Sequence, residues 1–169
     1  MSDLMSSDVR VVAESDAGSF EEYVAAEQGA LQNFAFLIVG NREDARDAVQ
    51  DALIGAYRKW DAIRSEPGPY IRRSIVNAHI SAWRKRRKEI SVAEVTGGET
   101  AGPGVDTLWV RQMCQTLPRK QRAAVVLRYF EDRSFAEIGV LMDCSEATAR
   151  SLVSRAIAAL RRNLTTSDQ

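Results

Sequence analysis

Between Ser91 and Asp106 the chain reads SVAEVTGGETAGPGVD, with Gly97, Gly98, Gly102, Pro103 and Gly104 crowded together and no apolar period. Glycine loses more conformational freedom on folding than any other residue, and proline removes a backbone donor. No helix or strand is expected to cross such a stretch, so the 169 residues must fold as two short pieces. Pieces below about 100 residues bury only modest cores, so each needs an efficient local architecture. The expected organisation is a disordered N-terminal tail (1–18), a first module (19–90), a flexible tether (91–107), a second module (108–163) and a C-terminal tail (164–169).

Both modules read as helical. Ser19 and Glu22 form a capping box, after which Phe20, Val24, Leu31, Phe34 and Ile38 recur at helical steps until Gly40. Asn41 with Asp44 starts a second helix, whose stripe is Ala45, Ala48, Val49, Ala52, Leu53, Ala56, Tyr57 and Trp60. Opposite that stripe stand Asp44, Asp47 and Asp51, with Gln50 at the flank: a negative face, and as a bare helix surface one that solvent alone would explain. Gly68 and Pro69 open a third helix with Ile71, Ile75, Ala78 and Ala82 inward. Its polar side carries Arg73, Asn77 and Arg84, and it runs out through RKRRK, residues 84–88, with Trp83 on the margin.

The second module opens at Leu117 and Pro118 with a helix through Phe130, its apolar side Ala123, Val126, Leu127 and Phe130. Ser134 with Glu137 caps a short helix, Asp143 and Cys144 make a turn, and Ser145 caps a last helix. That last helix is expected to bury Ala149, Leu152, Val153, Ala156 and Leu160 and to turn Ser151, Ser154, Arg155 and Ala158 outward. This is helix-turn-helix spacing, a motif whose second helix enters the major groove leading with its N-terminal residues, here Glu146, Thr148, Arg150, Ser151 and Arg155. The expected fold class is therefore all-α: two small helical domains, the second a helix-turn-helix.

Formal charge sums to zero over the chain, but the zero hides a partition. Residues 1–66 carry net −7, 67–90 net +6, 91–107 net −3 and 108–169 net +4. Two cationic segments on either side of an acidic one suit contact with a polyanion at two places and with a different partner at a third. A basic helix bearing Asn and an aromatic suits DNA, because Arg and Lys neutralise phosphates while Asn and rings engage bases.

Other classes find no footing. There is no apolar run near the ~20 residues that span a bilayer, and acids rather than bases mark the first twenty positions, so a cytoplasmic protein without a membrane partner is expected. Cys114 and Cys144 stand apart from any paired ligand, so neither a metal nor a disulfide is read from them. His79, the only histidine, is expected to pack. No nucleophile set, phosphate-binding glycine loop or ligand cluster is present; no catalytic residue, cofactor or enzymatic activity is assigned.

Taken together, these segments resemble the extracytoplasmic-function sigma factors of bacterial RNA polymerase, in a form similar to those of actinobacteria. NREDARDAVQDALIGAYRKW is similar to the family's helix that docks on the polymerase clamp, which implies that Asp44, Asp47, Gln50 and Asp51 meet the coiled coil of the largest subunit. YIRRSIVNAHISAWRKRRKE is similar to the helix that melts and reads the minus-ten element. The resemblance implies DNA contacts from Arg72, Arg73, Asn77, Trp83, Arg84, Lys85 and Arg87, with the loop from Asp61 to Pro69 helping to hold an unstacked base. Residues 117–162 resemble the module that reads the minus-thirty-five element and touches the flap of the second-largest subunit. Ser81, Asp143 and Leu152 depart from the pattern, where Asp, Gly and a polar residue are usual.

The function implied is non-catalytic: loading on core polymerase, promoter recognition, melting and initiation. Two other readings stay open. A stand-alone helix-turn-helix regulator would explain only 117–162, and a gel-filtration mass would expose its dimer. A sigma-like decoy that binds an anti-sigma protein would have little reason to keep Arg73, Asn77 and Arg84 together.

Overall fold

The computed structural model describes residues 18–89 and 105–167, and the side chains of 18–81 and 109–166. Nearly all of the expected N-terminal tail and most of the tether lie outside the described residues. Eight helices and no strand occur among the described residues: α1 Phe20–Val39, α2 Arg42–Arg58, α3 Trp60–Ile63, α4 Pro67–Glu89, α5 Val105–Gln115, α6 Arg119–Tyr129, α7 Phe135–Met142 and α8 Glu146–Ser167.

Local chemistry sets most boundaries. At Ser19 and Ser134 the capping boxes close in both directions, each serine taking the N–H three residues on while Glu22 or Glu137 reaches back. The Asn41 side chain accepts from the Asp44 N–H at 2.8 Å, and Ser145 does the same for Thr148 at 3.1 Å. Gly40, at φ +97°, ends α1 in the left-handed conformation that glycine adopts without strain. Asp143 ends α7 at φ 58°, a position where a carboxylate residue stands in for glycine at some cost.

α1, α2 and α4 pack around Leu31, Phe34, Ile38, Val49, Ile71, Ile75 and Val76, while α6, α7 and α8 pack around Val126, Leu127, Ile138, Ala149, Val153 and Ala156. The two groups also meet, α4 lying against α7 and α1 against α5 and α6, so that one continuous core runs through both. The sequence suggested two tethered bodies; the structure adds an interface between them.

Several expectations need correction. Ala78 is exposed and Val76 takes its inward place, because the α4 core face is also bounded by α7. Tyr57 is 60% exposed, on the margin rather than in the stripe of α2. Phe130, the residue after α6, is half exposed because the chain has already turned away. α2 stops at Arg58, so Trp60, read as the end of its stripe, instead opens α3, which runs into the segment read as a loop; α5 begins within the segment read as tether, and α8 continues to Ser167 through the start of the segment read as tail.

Candidate polymerase and nucleic-acid interfaces

The α2 helix presents the first candidate surface. Its stripe of Ala45, Val49, Ala52, Leu53 and Ala56 is buried, which leaves Asp47, Gln50 and Asp51 exposed on the far side. Asp44 is half-buried, and its carboxylate accepts from the Asn41 side-chain amide at 2.7 Å, so it is committed to the helix start. Asp47 and Asp51 form no ion pair among the described residues, which leaves their field directed outward. Gln50 also borders an apolar groove of about 740 Å3 between α1 and α2, lined by Phe20, Val24, Leu53, Ile54 and Tyr57. Phe20 packs edge-on against Tyr57 and Trp60 at 5.1 and 5.3 Å, fixing the groove's end. Sequence reasoning missed this groove, although Ile54, one step off the stripe, was the signal for it.

On α4 the candidates for DNA contact divide. Arg73 is exposed and Asn77 half-buried on the same side of the helix. Arg72 points the other way: its guanidinium is buried, lies 5.7 Å from the Phe34 ring centre and pairs with Glu131 of the second module at 2.5 Å. In this arrangement Arg72 is committed to packing. Trp83, Arg84, Lys85 and Arg87 lie on the helix backbone, but their side chains fall outside the described residues.

The helix-turn-helix is formed by α7 and α8. A Cβ added at Gly139 would meet the Cys144 carbonyl oxygen at 2.7 Å, so only glycine lets the turn fold back on α7. Glu146 accepts from Arg150 at 3.3 Å, and the Arg150 guanidinium sits 5.0 Å from the Phe135 ring centre, with Arg128 at 4.4 Å from the same ring. Thr148 shares a hydrogen bond with the capping Ser145 at 2.9 Å. Ser151 is half-buried, and Arg155 is exposed with no hydrogen bond or ion pair among the described residues. Arg150 is thus held against its own helix start and Phe135, while Arg155 stands exposed further along α8.

The two surfaces do not lie apart. Arg73 reaches the Asp143 carboxylate at 3.8 Å, and Asn77, Ile80 and Ser81 share a cleft of about 580 Å3 with Lys120, Asp143, Cys144, Thr148, Leu152 and Arg155. Burial raises the thiols of Cys114 and Cys144 above their ordinary range, and lowers the Arg122 guanidinium, so neither cysteine has the character of an activated nucleophile. No group of three or more His, Cys, Asp and Glu side chains able to hold a metal occurs among the described residues, and none of their helices is long and apolar enough to cross a membrane.

Residues 23–89 match the family model Sigma-70 region 2, and residues 107–160 match Sigma-70, region 4. The RNA polymerase sigma-E factor of Streptomyces avermitilis is 31% identical over 163 residues, spanning 93% of this chain and 91% of the relative. The chain belongs to the sigma-70 family. Within it the relatives are of the extracytoplasmic-function kind: the sigma-E factor of Streptomyces coelicolor is 32% identical over 88% of both chains, and ECF sigma factor SigW of Bacillus subtilis is 26% identical over 92% of this chain and 94% of its own. The sigma factor RpoE of Bartonella quintana, solved in complex with the anti-sigma factor NepR, superposes with a TM-score of 0.72 at 25% identity, covering 86% of this chain and 96% of that one. This sigma factor is accordingly a promoter-recognition factor for transcription initiation, a function its family performs with RNA polymerase on promoter DNA without being an enzyme.

Proposed function

We propose that the factor divides its work between a first module (19–90) and a second (108–163). Asp47, Gln50 and Asp51 dock on the clamp of the polymerase's largest subunit, with Asp44 holding the start of that helix. Arg73 and Asn77, with Trp83, Arg84, Lys85 and Arg87 further along α4, engage the minus-ten element and its melted strand. Glu146, Thr148, Arg150, Ser151 and Arg155 read the minus-thirty-five element, and the second module touches the flap of the second-largest subunit. Capturing an unstacked base costs a few kcal/mol, which contacts from the α4 face would offset. No catalytic residue or cofactor is assigned, and the site of action is the cytoplasm, where the polymerase is. An anti-sigma protein is a further partner, a proposal supported by the company in which the Bartonella relative was solved.

One observation carries the polymerase assignment: two unpaired carboxylates and Gln50 stand exposed beside an apolar groove. Such a face offers charge for orientation and apolar area for affinity to a helical partner. Reversing both charges, Asp47→Lys with Asp51→Lys, leaves the buried stripe untouched. It is expected to weaken core polymerase binding at least tenfold, about 1.4 kcal/mol, in a direct titration. Unchanged affinity in a folded double variant would remove the assignment.

A further inference from the structure

Large apolar side chains gathered in the open on one face mark a surface that is covered at some stage. On α1 and α2 that face is the groove of about 740 Å3, where Ile54 and Tyr57 are both more than half exposed. The two helices run antiparallel, since Phe20 at the start of α1 packs against Tyr57 near the end of α2. The groove therefore has a near end at Phe20 and Tyr57 and a far end at Gln28 and Gln50. Phe20 and Gln28 are eight helical steps apart, so the groove is about 12 Å long. Its near end is of mixed charge, with Glu21 and Arg58. Its far end is acidic, because Asp47 and Asp51 stand exposed on the turn around Gln50.

The described chain enters at the near end. Gly18 precedes the capping Ser19 at φ +61°, and Phe20 follows directly into the groove wall. Residues 1–17 are therefore joined to the fold beside the groove. Their sequence, MSDLMSSDVRVVAESDA, gathers Val9, Val11 and Val12 around Arg10, its one base. Val12 stands six residues before Gly18, and six extended residues span up to about 20 Å, enough to bring Val11 and Val12 over the apolar middle of the groove. Arg10 then falls toward the acidic far end. We propose that Val11 and Val12 of the chain's own N-terminal segment dock in the groove between α1 and α2, with Arg10 toward Asp47 and Asp51, and that this occupant leaves before polymerase takes the same face. The competition rests on the polymerase assignment of the α2 face. A segment tethered this closely acts at an effective concentration on the order of 1 mM, so weak pairing suffices. With an intrinsic dissociation constant of about 0.25 mM the groove is filled about four-fifths of the time, and apparent core affinity falls about fivefold.

The test uses the full chain with Val11→Ser and Val12→Ser, which keeps the net charge and leaves every described residue in place. The apolar dye anilinonaphthalene sulfonate, titrated without polymerase, reads the open groove, and adding Ile54→Ser identifies the dye site that belongs to it. The serine variant is expected to bind the dye about fivefold tighter than the parent, with the gain removed by Ile54→Ser, and to bind core polymerase about fivefold tighter. Unchanged dye binding overturns the inference, and so does a gain that Ile54→Ser leaves intact. Parent dye binding that rises on dilution assigns the groove to a second copy of the chain and overturns it as well. Core affinity is read beside the Asp47→Lys, Asp51→Lys variant. If that variant binds core normally, the polymerase assignment fails while docking of the segment stands on the dye result. If it binds core weakly and the serine variant binds no tighter than the parent, the competition is overturned.

Discussion

Arg122 carries its guanidinium into the interior and forms no ion pair among the described residues. Burial lowers its tendency to hold a proton, yet three carbonyls, of Ile38, Cys114 and Leu117, accept its hydrogens and keep the charged form in place. Replacing it by Met leaves those acceptors buried and unmatched, which costs about 1–3 kcal/mol for each such group before relaxation. Arg122→Met is expected to lower stability by at least about 2 kcal/mol in urea denaturation, and a loss below the error of that method would contradict the role given to it. Cys114 titrates in the same neighbourhood. Burial raises its thiol pKa in the folded state, so the stabilisation belongs to the protonated form; it is complete below the unfolded value of about 8.5 and is lost as pH rises through the folded one. Stability is expected to fall on alkaline titration and Cys114→Ala to flatten that fall, as thermal melts from neutral pH upward would show.

At the scale of elements, what was legible in the sequence was whatever the chain settles locally. Four starts could be read because a Ser or Asn side chain reaches the N–H three residues ahead, at Ser19, Asn41, Ser134 and Ser145. The α2 stripe was readable except for Ile54 and Tyr57, which line a groove that only the placement of α1 creates. Invisible were the contacts between modules, since Arg72 meets Glu131 across 59 positions and Arg122 meets Ile38 across 84. These pairs are polar, follow no period, and join positions far apart in the chain. Arg72 therefore stood among the DNA contacts until the fold turned it inward. Gly139 shows the reverse case, a residue unremarked in the sequence whose missing Cβ admits the helix-turn-helix turn at 2.7 Å from a backbone oxygen. Gly139→Ala forces that turn apart and is expected to cost about 1–3 kcal/mol, as overpacking does. Binding to the upstream promoter element should fall with it, measured by mobility shift of the polymerase complex, while core polymerase affinity, assigned chiefly to the α2 face, should change less. Loss of core affinity instead would mean that the turn serves the polymerase.

For the whole molecule, a net charge of zero is resolved into an acidic first stretch, net −7 over residues 1–66, and two cationic ones, net +6 over 67–90 and net +4 over 108–169. The proposed division of labour makes the two DNA faces separable: Arg155 on α8 for the duplex upstream, Arg73 and Asn77 on α4 for the strand that melts. Arg155→Ala is expected to lose about 1–3 kcal/mol of binding, and only on the cognate upstream sequence, if it reads a base. The most direct measurement is permanganate footprinting of unpaired thymines in polymerase complexes on one promoter, comparing the parent factor, Arg155→Ala, and Arg73→Ala with Asn77→Ala. The account predicts that the α4 pair variant binds the upstream element yet leaves the minus-ten thymines unreactive, whereas Arg155→Ala loses discrimination between intact and scrambled upstream elements. Normal thymine reactivity in the α4 variant, together with unchanged upstream discrimination in Arg155→Ala, would contradict it.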